Sequence, residues 1–163
     1  METLDFLIDG FKVALTLENF TLALIGCILG TIFGALPGLG PANGVAILIP
    51  LSFSLGLSPA SSMILLASVY YGAMYGGRIS SILLNIPGDE PAMMTCLDGY
   101  PMTKKGRAGE ALTLTGLASF FGAMFATIGL VLLAPQLVKV ALLFGPVEYF
   151  ASILILQISL IFF

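Results

Sequence analysis

The hydrophobic positions of this chain form long continuous runs. Residues 19–77 contain no Asp, Glu, Lys, Arg or His, and one uncharged run of about 18 residues already suggests a membrane-spanning helix. The run is nevertheless interrupted at residues 34–44 by GALPGLGPANG, a composition that breaks helices. Irregular backbone at membrane depth must be buried in protein or line a wet cavity, because unpaired amides cost several kcal/mol in hydrocarbon. The pattern therefore predicts a polar site inside a membrane protein.

The rest of the chain divides into further predicted elements. Residues 1–17 mix apolar and charged positions at roughly helical spacing, which favours an interfacial amphipathic helix. The elements predicted after it are a span at 19–36, a short helix at 41–53 kinked at Pro50, a long helix at 59–84, a polar connection at 87–110 with a turn at 98–101, a span at 111–134, a linking segment at 135–146 and the start of a span at 147–163. The predicted fold class is all-α, a polytopic membrane helix bundle with Gly/Pro-broken helices, discontinuous or re-entrant. Whether residues 42–57 cross the membrane or re-enter stays open.

The composition narrows the function. Apolar residues make up 58% and charged residues 9% of the chain, against roughly 45–50% and 25% in soluble domains. Absence of His from the sequence excludes imidazole metal sites, Ser-His or Cys-His catalysis and histidine proton relays. The net charge of −3 without a basic tail gives no indication of a nucleic-acid partner. Cys27 and Cys96 lie in unlike surroundings and predict neither a disulfide nor a zinc site.

Two local features bear on topology and packing. Three of the six basic residues cluster at Lys104, Lys105 and Arg107, which places this loop in the cytoplasm by the positive-inside tendency. Small residues at four-residue spacing predict close helix packing; they are Gly26, Gly30 and Gly34, then Gly72 and Gly76, then Ala118, Gly122 and Ala126.

Two short motifs share the pattern P-G-x-x-P. PGLGP at 37–41 and PGDEP at 87–91 each end a long apolar helix, and paired Gly/Pro interruptions indicate discontinuous helices around a transport site. A half-helix that begins after such a break presents free N–H groups and partial positive charge to an anion. A pair of tight turns at the membrane surface is the alternative, and the sequence does not decide between them.

Polar side chains near the breaks complete the candidate site. Arg78 follows two glycines in an otherwise uncharged helix, and an intramembrane arginine is expensive and usually functional, with a planar fork that suits a carboxylate. The alternative is that Arg78 lies near the membrane interface and only snorkels toward water. Serines in such helices often bond back to their own helix, and Asp89, Glu90 and Asp98 are expected to be solvated. The candidate substrate-binding residues are Pro37, Gly38, Gly40, Asn43, Gly76, Gly77, Arg78, Ser80, Ser81, Asn85, Pro87 and Gly88. No catalytic residue, metal ligand or resident cofactor is expected.

Three long motifs resemble a known family. LPGLGPANGVAILIPLSF at 36–53, the segment from YYGAMYGGRISS to TKKGRAG at 70–109, and FGPVEYF at 144–150 strongly resemble the large membrane subunit of the tripartite tricarboxylate transporter family. The resemblance implies a multi-pass secondary transporter for di- or tricarboxylates in the bacterial inner membrane. It also implies a periplasmic solute-binding protein and a small membrane subunit as partners, and sodium or a proton as coupling ion. Many relatives carry a small hydroxyl residue at position 78 and other residues after the second Pro-Gly, so the identity of the carboxylate does not transfer.

The resemblance also bears on length. Family members are about three times as long, with a second half that echoes the first break, so we expect residues 1–163 to be the N-terminal part of a transporter membrane domain. Within it, 1–17 is the interfacial helix, 19–86 the broken-helix segment, 87–110 the polar connection and 111–163 further spans. The alternative is a truncated structural or assembly module that transports nothing. A membrane enzyme ranks third, since no nucleophile–base pair is visible.

Overall fold

Helices account for nearly all of the regular structure. The computed structural model describes residues 2–162, which form seven α-helices and no strand. They are α1 (Glu2–Ala14), α2 (Leu17–Ala35), α3 (Gly40–Ser54), α4 (Pro59–Leu84), α5 (Ala92–Lys104), α6 (Ala108–Ala141) and α7 (Pro146–Phe162). The all-α fold class is thereby confirmed, and the chain leaves helical structure at both P-G-x-x-P motifs.

Local capping sets the starts of α2 and α4. The Thr16 hydroxyl accepts a hydrogen bond from the Asn19 backbone N–H, and Ser58 accepts one from Ser61 N–H at 3.1 Å. These side chains satisfy donors that have no partner within the first helical turn. In α4, Pro59 follows the cap directly, a position where its missing N–H costs nothing.

The glycine stripes bring α2 and α4 into backbone contact. Any Cβ on Gly30 or Gly34 would overlap the carbonyl group of Val69 or Ala73, and one on Gly26 would lie 2.8 Å from the Leu65 carbonyl oxygen. Gly72 and Gly76 meet the carbonyl oxygens of Cys27 and Thr31 in the same way. Since apolar burial does not drive association in lipid, this close approach supplies the packing contact. The packing role predicted for these two stripes is confirmed.

Helix α4 is the centre of the first part of the bundle. It packs against α2, α3 and α5, and Leu48 of α3 joins Leu65 and Val69 of α4 in a buried apolar cluster. The third predicted stripe differs, because a Cβ on Gly122 would have no atom within 4 Å among the described residues. Among the described residues, Gly122 therefore does not show the packing role that was predicted for this stripe.

Two sequence predictions are wrong in part. Residues 98–101 are not a turn, because they lie inside α5, whose Gly99 packs against Ile82 and whose Thr103 hydroxyl donates to the Ile82 carbonyl oxygen at 2.7 Å. Such tertiary contacts override turn propensity. The predicted linker at 135–146 is mostly helical, since α6 continues to Ala141. Proline is tolerated inside membrane helices, where neighbouring groups and local adjustments satisfy the freed carbonyls.

Within residues 2–162, two helices are long and apolar enough to cross a membrane: Leu17–Ala35 and, within α6, Ala108–Ala134. The chain divides into two compact units, residues 1–119 and 120–163. In the first, the Asn19 side-chain amide donates to the Val13 carbonyl oxygen at 2.7 Å and ties the end of α1 to α2. In the second, Glu148 accepts from Gly145 N–H at 2.8 Å at the start of α7.

Candidate functional site

The two P-G-x-x-P breaks meet in one cavity of about 470 Å³. Its walls come from the first break, the first turn of α3, one side chain of α4, the second break and the first turn of α5. The lining residues are Gly38, Leu39, Gly40, Pro41, Ala42, Asn43, Tyr70, Pro87, Gly88, Asp89, Glu90 and Met93. The sequence thus predicted Gly38, Gly40, Asn43, Pro87 and Gly88 at positions that the fold brings together.

The first break ends in an uncapped helix. Gly38 and Gly40 have φ of +92° and +64°, a region that L side chains rarely adopt and glycine enters freely. Helix α3 then begins with Leu39 at its N-cap and no side-chain hydrogen bond to its first turn. Pro41 has no N–H, so the first turn leaves the N–H groups of Gly40 and Ala42, two residues that line the cavity, without an intrahelical partner and with partial positive charge.

The second break is seated on the α2–α4 contact. Asn85, with φ of +60°, ends α4 in a left-handed conformation. Gly88 packs directly against Gly77 of α4. A Cβ on Gly88 would lie 2.5 Å from the Gly77 Cα and 2.7 Å from the Gly34 carbonyl oxygen. Only glycine lets the break approach this closely, so the packing of α2 on α4 sets the position of one cavity wall.

The second break contributes a carboxyl group, Asp89, whereas the first break contributes the N-terminus of α3. The Oδ1 of Asp89 accepts a hydrogen bond at 3.0 Å from the N–H of Ala92, the first residue of α5, while its buried Oδ2 has no hydrogen-bond partner among the described residues. Burial raises the pKa of the Asp89 carboxyl, against the lowering effects of the Ala92 N–H and of the Arg78 charge. The cavity therefore combines an uncapped helix N-terminus with the Asp89 and Glu90 carboxyl groups.

Several predicted site residues lie outside this lining. Ser80 and Ser81 are buried, and their hydroxyls donate to the Gly77 carbonyl oxygen at 3.0 and 2.8 Å, which is the back-bonding weighed for them from the sequence. The Arg78 guanidinium donates to the Ser119 hydroxyl on α6. The other predicted residues beyond the lining are Pro37, Gly76, Gly77 and Asn85.

Seven lining residues were not among the predicted site residues: Leu39, Pro41, Ala42, Tyr70, Asp89, Glu90 and Met93. Asp89 and Glu90 were expected to be solvated, and Met93 stood in the polar connection. The signal that could have found Asp89 is its place just before α5, where Asp is favoured because its carboxylate can accept a hydrogen bond from a nearby backbone N–H. Recognising it required the start of α5, which the sequence interpretation treated as non-helical.

Comparisons with known proteins show which family this chain belongs to. The model of the Tripartite tricarboxylate transporter TctA family matches residues 20–163. The chain belongs to this family. An uncharacterized 52.8 kDa protein in the TAR-I ttuC' 3' region of Agrobacterium vitis is 46% identical to this TctA-family chain, over 98% of the chain and 32% of the relative. An uncharacterized protein of Methanocaldococcus jannaschii is 32% identical over 66% of the chain and 26% of the relative.

The comparisons also set the scope of what is seen. This TctA-family chain spans about a third of the length of the curated relatives it matches. No solved structure matches it. The family is one of transporters and not of enzymes, and the all-α helix bundle with candidate membrane-crossing helices agrees with that membership.

Proposed function

We propose that this chain is part of the permease subunit of a secondary, cation-coupled tripartite transporter for di- or tricarboxylates, and that the cavity between the breaks is one wall of its substrate site. The observation that carries the proposal is the meeting of both P-G-x-x-P breaks in one cavity. Broken helices whose N-termini point at an anionic substrate are a recurring design in secondary transporters.

The chemistry of the cavity suits a small carboxylate. Its volume of about 470 Å³ lies within the range of roughly 300–1,000 Å³ that ligand pockets occupy. The uncapped first turn of α3 supplies N–H donors, and the Asn43 side-chain amide can add a further one. Hydrogen bonds to a charged acceptor are about twice as strong as neutral ones, so these groups favour a carboxylate over an uncharged ligand.

The coupling cation has a place beside the substrate in this proposal. Asp89 and Glu90 line the same cavity, so a sodium ion or a proton at these carboxyl groups would offset their repulsion of an anionic substrate. Substrate and cation would then bind together, as symport requires. The support is the shared cavity wall and the unpartnered Oδ2 of Asp89 among the described residues.

The assembly follows from family membership. A tripartite transporter implies a periplasmic solute-binding protein that delivers the carboxylate and a small membrane subunit beside this one. We place the protein as a multi-pass subunit of the bacterial inner membrane, with the loop of Lys104, Lys105 and Arg107 in the cytoplasm. The family model, the candidate membrane-crossing helices and the clustering of basic residues support this placement.

Cysteine labelling tests the site directly. Asn43→Cys is introduced into the full-length transporter after Cys27→Ser and Cys96→Ser, and its reaction with a water-soluble thiol reagent is timed with and without citrate. We expect citrate to slow labelling at position 43, because the cavity holds the ligand there. Ser54→Cys, at the other end of α3 and exposed, is the matched control and should label at the same rate throughout.

The ligand set makes the result specific. Succinate serves as a dicarboxylate and glucose as an uncharged solute of comparable size. The proposal is supported if a carboxylate, but not glucose, slows labelling at position 43 and leaves labelling at position 54 unchanged. Equal labelling at position 43 with and without every carboxylate, in a protein that inserts normally, would refute the cavity as a carboxylate site.

A further inference from the structure

A second cavity lies at the corner between α5 and α6, apart from the breaks. It is an open groove of about 550 Å³ whose lining changes character along the chain: Arg107 and Glu110 are polar, while Leu114 and Leu117 of α6 are apolar and exposed. Met102 of α5 completes the apolar side. The cavity is therefore polar near the start of α6 and apolar further along that helix.

The charge around the polar end of this cavity is positive. Lys104, Lys105 and Arg107 stand within four residues and are exposed; Arg107 lines the cavity with Glu110, the one acid of its lining, and the two lysines precede Arg107 in the chain. Glu110 accepts from the Arg107 Nε at 3.0 Å, which holds that guanidinium at the rim. Lys104 lies over the Tyr100 ring, with Nζ 4.9 Å from the centroid. Two lysines remain without a salt-bridge partner among the described residues.

The basic residues of the corner lie next to a candidate membrane-crossing segment. Residues Ala108–Ala134 of α6 form a candidate membrane-crossing segment, so the three cations directly precede it, where lipid headgroups lie if this segment crosses the membrane. Basic residues next to a spanning helix attract anionic lipids, each contributing roughly a five- to sixfold gain in affinity.

We infer that the α5–α6 corner binds an anionic phospholipid, with its phosphate at Lys104, Lys105 and Arg107 and an acyl chain along Leu114 and Leu117. The charge complementarity selects the headgroup, and the apolar wall selects a lipid over a free phosphate. The site would fix the corner that joins α5, and with it the wall of the substrate cavity, to the leaflet surface. The inference does not depend on the carboxylate proposal.

Native mass spectrometry of the full-length transporter in detergent tests this site. The protein is titrated with phosphatidylglycerol, with phosphatidylcholine of the same acyl chains, and with inorganic phosphate. We expect phosphatidylglycerol to bind at least tenfold more tightly than the other two. Lys104→Gln/Lys105→Gln should lower that affinity roughly 30-fold, since it removes two of the cations.

The control removes the same charge elsewhere. Lys12→Gln/Lys139→Gln alters two exposed lysines outside the corner and should leave the affinity for phosphatidylglycerol within about threefold. Equal binding of the two lipids, unchanged affinity in the Lys104→Gln/Lys105→Gln variant, or binding of inorganic phosphate as tight as that of phosphatidylglycerol would each overturn the inference.

Discussion

At the scale of single residues, contacts that exclude a side chain hold the candidate site in place. Gly34 and Gly88 lie where α2, α4 and the second break converge, and an added Cβ at either would press on backbone atoms. Backbone cannot move aside as the tip of a flexible side chain can. The four-residue spacing revealed the α2–α4 glycines from sequence alone, whereas the contact between Gly77 and Gly88 could not be read, because no periodicity links a helix to a loop.

Gly34→Ala should destabilise the protein. Its methyl group would overlap the Ala73 carbonyl, and overpacking of this kind costs about 1–3 kcal/mol. Thermal unfolding of the full-length transporter in detergent measures the loss. Gly122→Ala, where a Cβ meets no described atom within 4 Å, is the matched control and should change stability by less than about 0.5 kcal/mol. Equal midpoints for the two variants would contradict the close α2–α4 contact.

Asp89→Asn should weaken the pH dependence of stability. Burial raises the pKa of the Asp89 carboxyl, so the folded protein binds that proton more tightly than the unfolded chain does. The corresponding stabilisation is complete below the ordinary Asp pKa of about 3.9 and is lost as the pH rises through the raised pKa. Asn retains an oxygen that can cap Ala92 N–H but does not titrate.

Thermal midpoints across that pH window give the measurement for Asp89. The wild type should lose stability with rising pH more steeply than Asp89→Asn, while Asp98→Asn, which removes an exposed carboxylate of α5, controls for the loss of one negative charge. Identical pH profiles for the wild type and Asp89→Asn would show that Asp89 is not buried as described.

At the scale of elements, the sequence predicted helices well where hydrophobic runs are long and caps are strong. Helix α4 begins at Pro59 and ends at Leu84, as the Ser-Pro start and the polar residues after it indicated. Helix α5 escaped prediction because its own composition favours a turn, and it is stabilised by contacts with Ile82 of α4. The helical continuation of α6 after Ala134 was not predicted, because proline usually ends a helix in a soluble protein. In a membrane helix it is tolerated.

The hydrogen bond from Arg78 to Ser119 joins α4 to α6 and makes a prediction at this scale. Arg78→Ala and Ser119→Ala should each lower thermal stability, with a coupling of about 1–2 kcal/mol in a double-mutant cycle, because each removes the same charged hydrogen bond. Substrate contact by Arg78 stays a prediction, and citrate protection of the thiol in the Asn43→Cys variant separates the two roles. Loss of protection in Arg78→Ala alone, with an unchanged unfolding midpoint, would contradict the joining role.

At the scale of the whole molecule, the proposed function depends on one cavity that is shared by two breaks about fifty residues apart in sequence. Their repeated P-G-x-x-P pattern predicted paired discontinuous helices, but it could not show which side chains line the space between them. That depends on how α3 and α5 leave the α2–α4 pair. The remaining length of the relatives, of which this chain covers about a third, is where we expect the opposite wall of the site.

Uptake of radiolabelled citrate by proteoliposomes containing the full-length transporter, with its binding protein and small subunit, tests the central claim most directly. Gly40→Ala at the first break and Gly88→Ala at the second should each lower uptake at least tenfold, because Ala disfavours the left-handed backbone at position 40 and a Cβ at position 88 displaces a cavity wall. Gly122→Ala, inserted to the same level, should transport normally. Wild-type uptake by both break variants would contradict the claim that the two breaks form one carboxylate site.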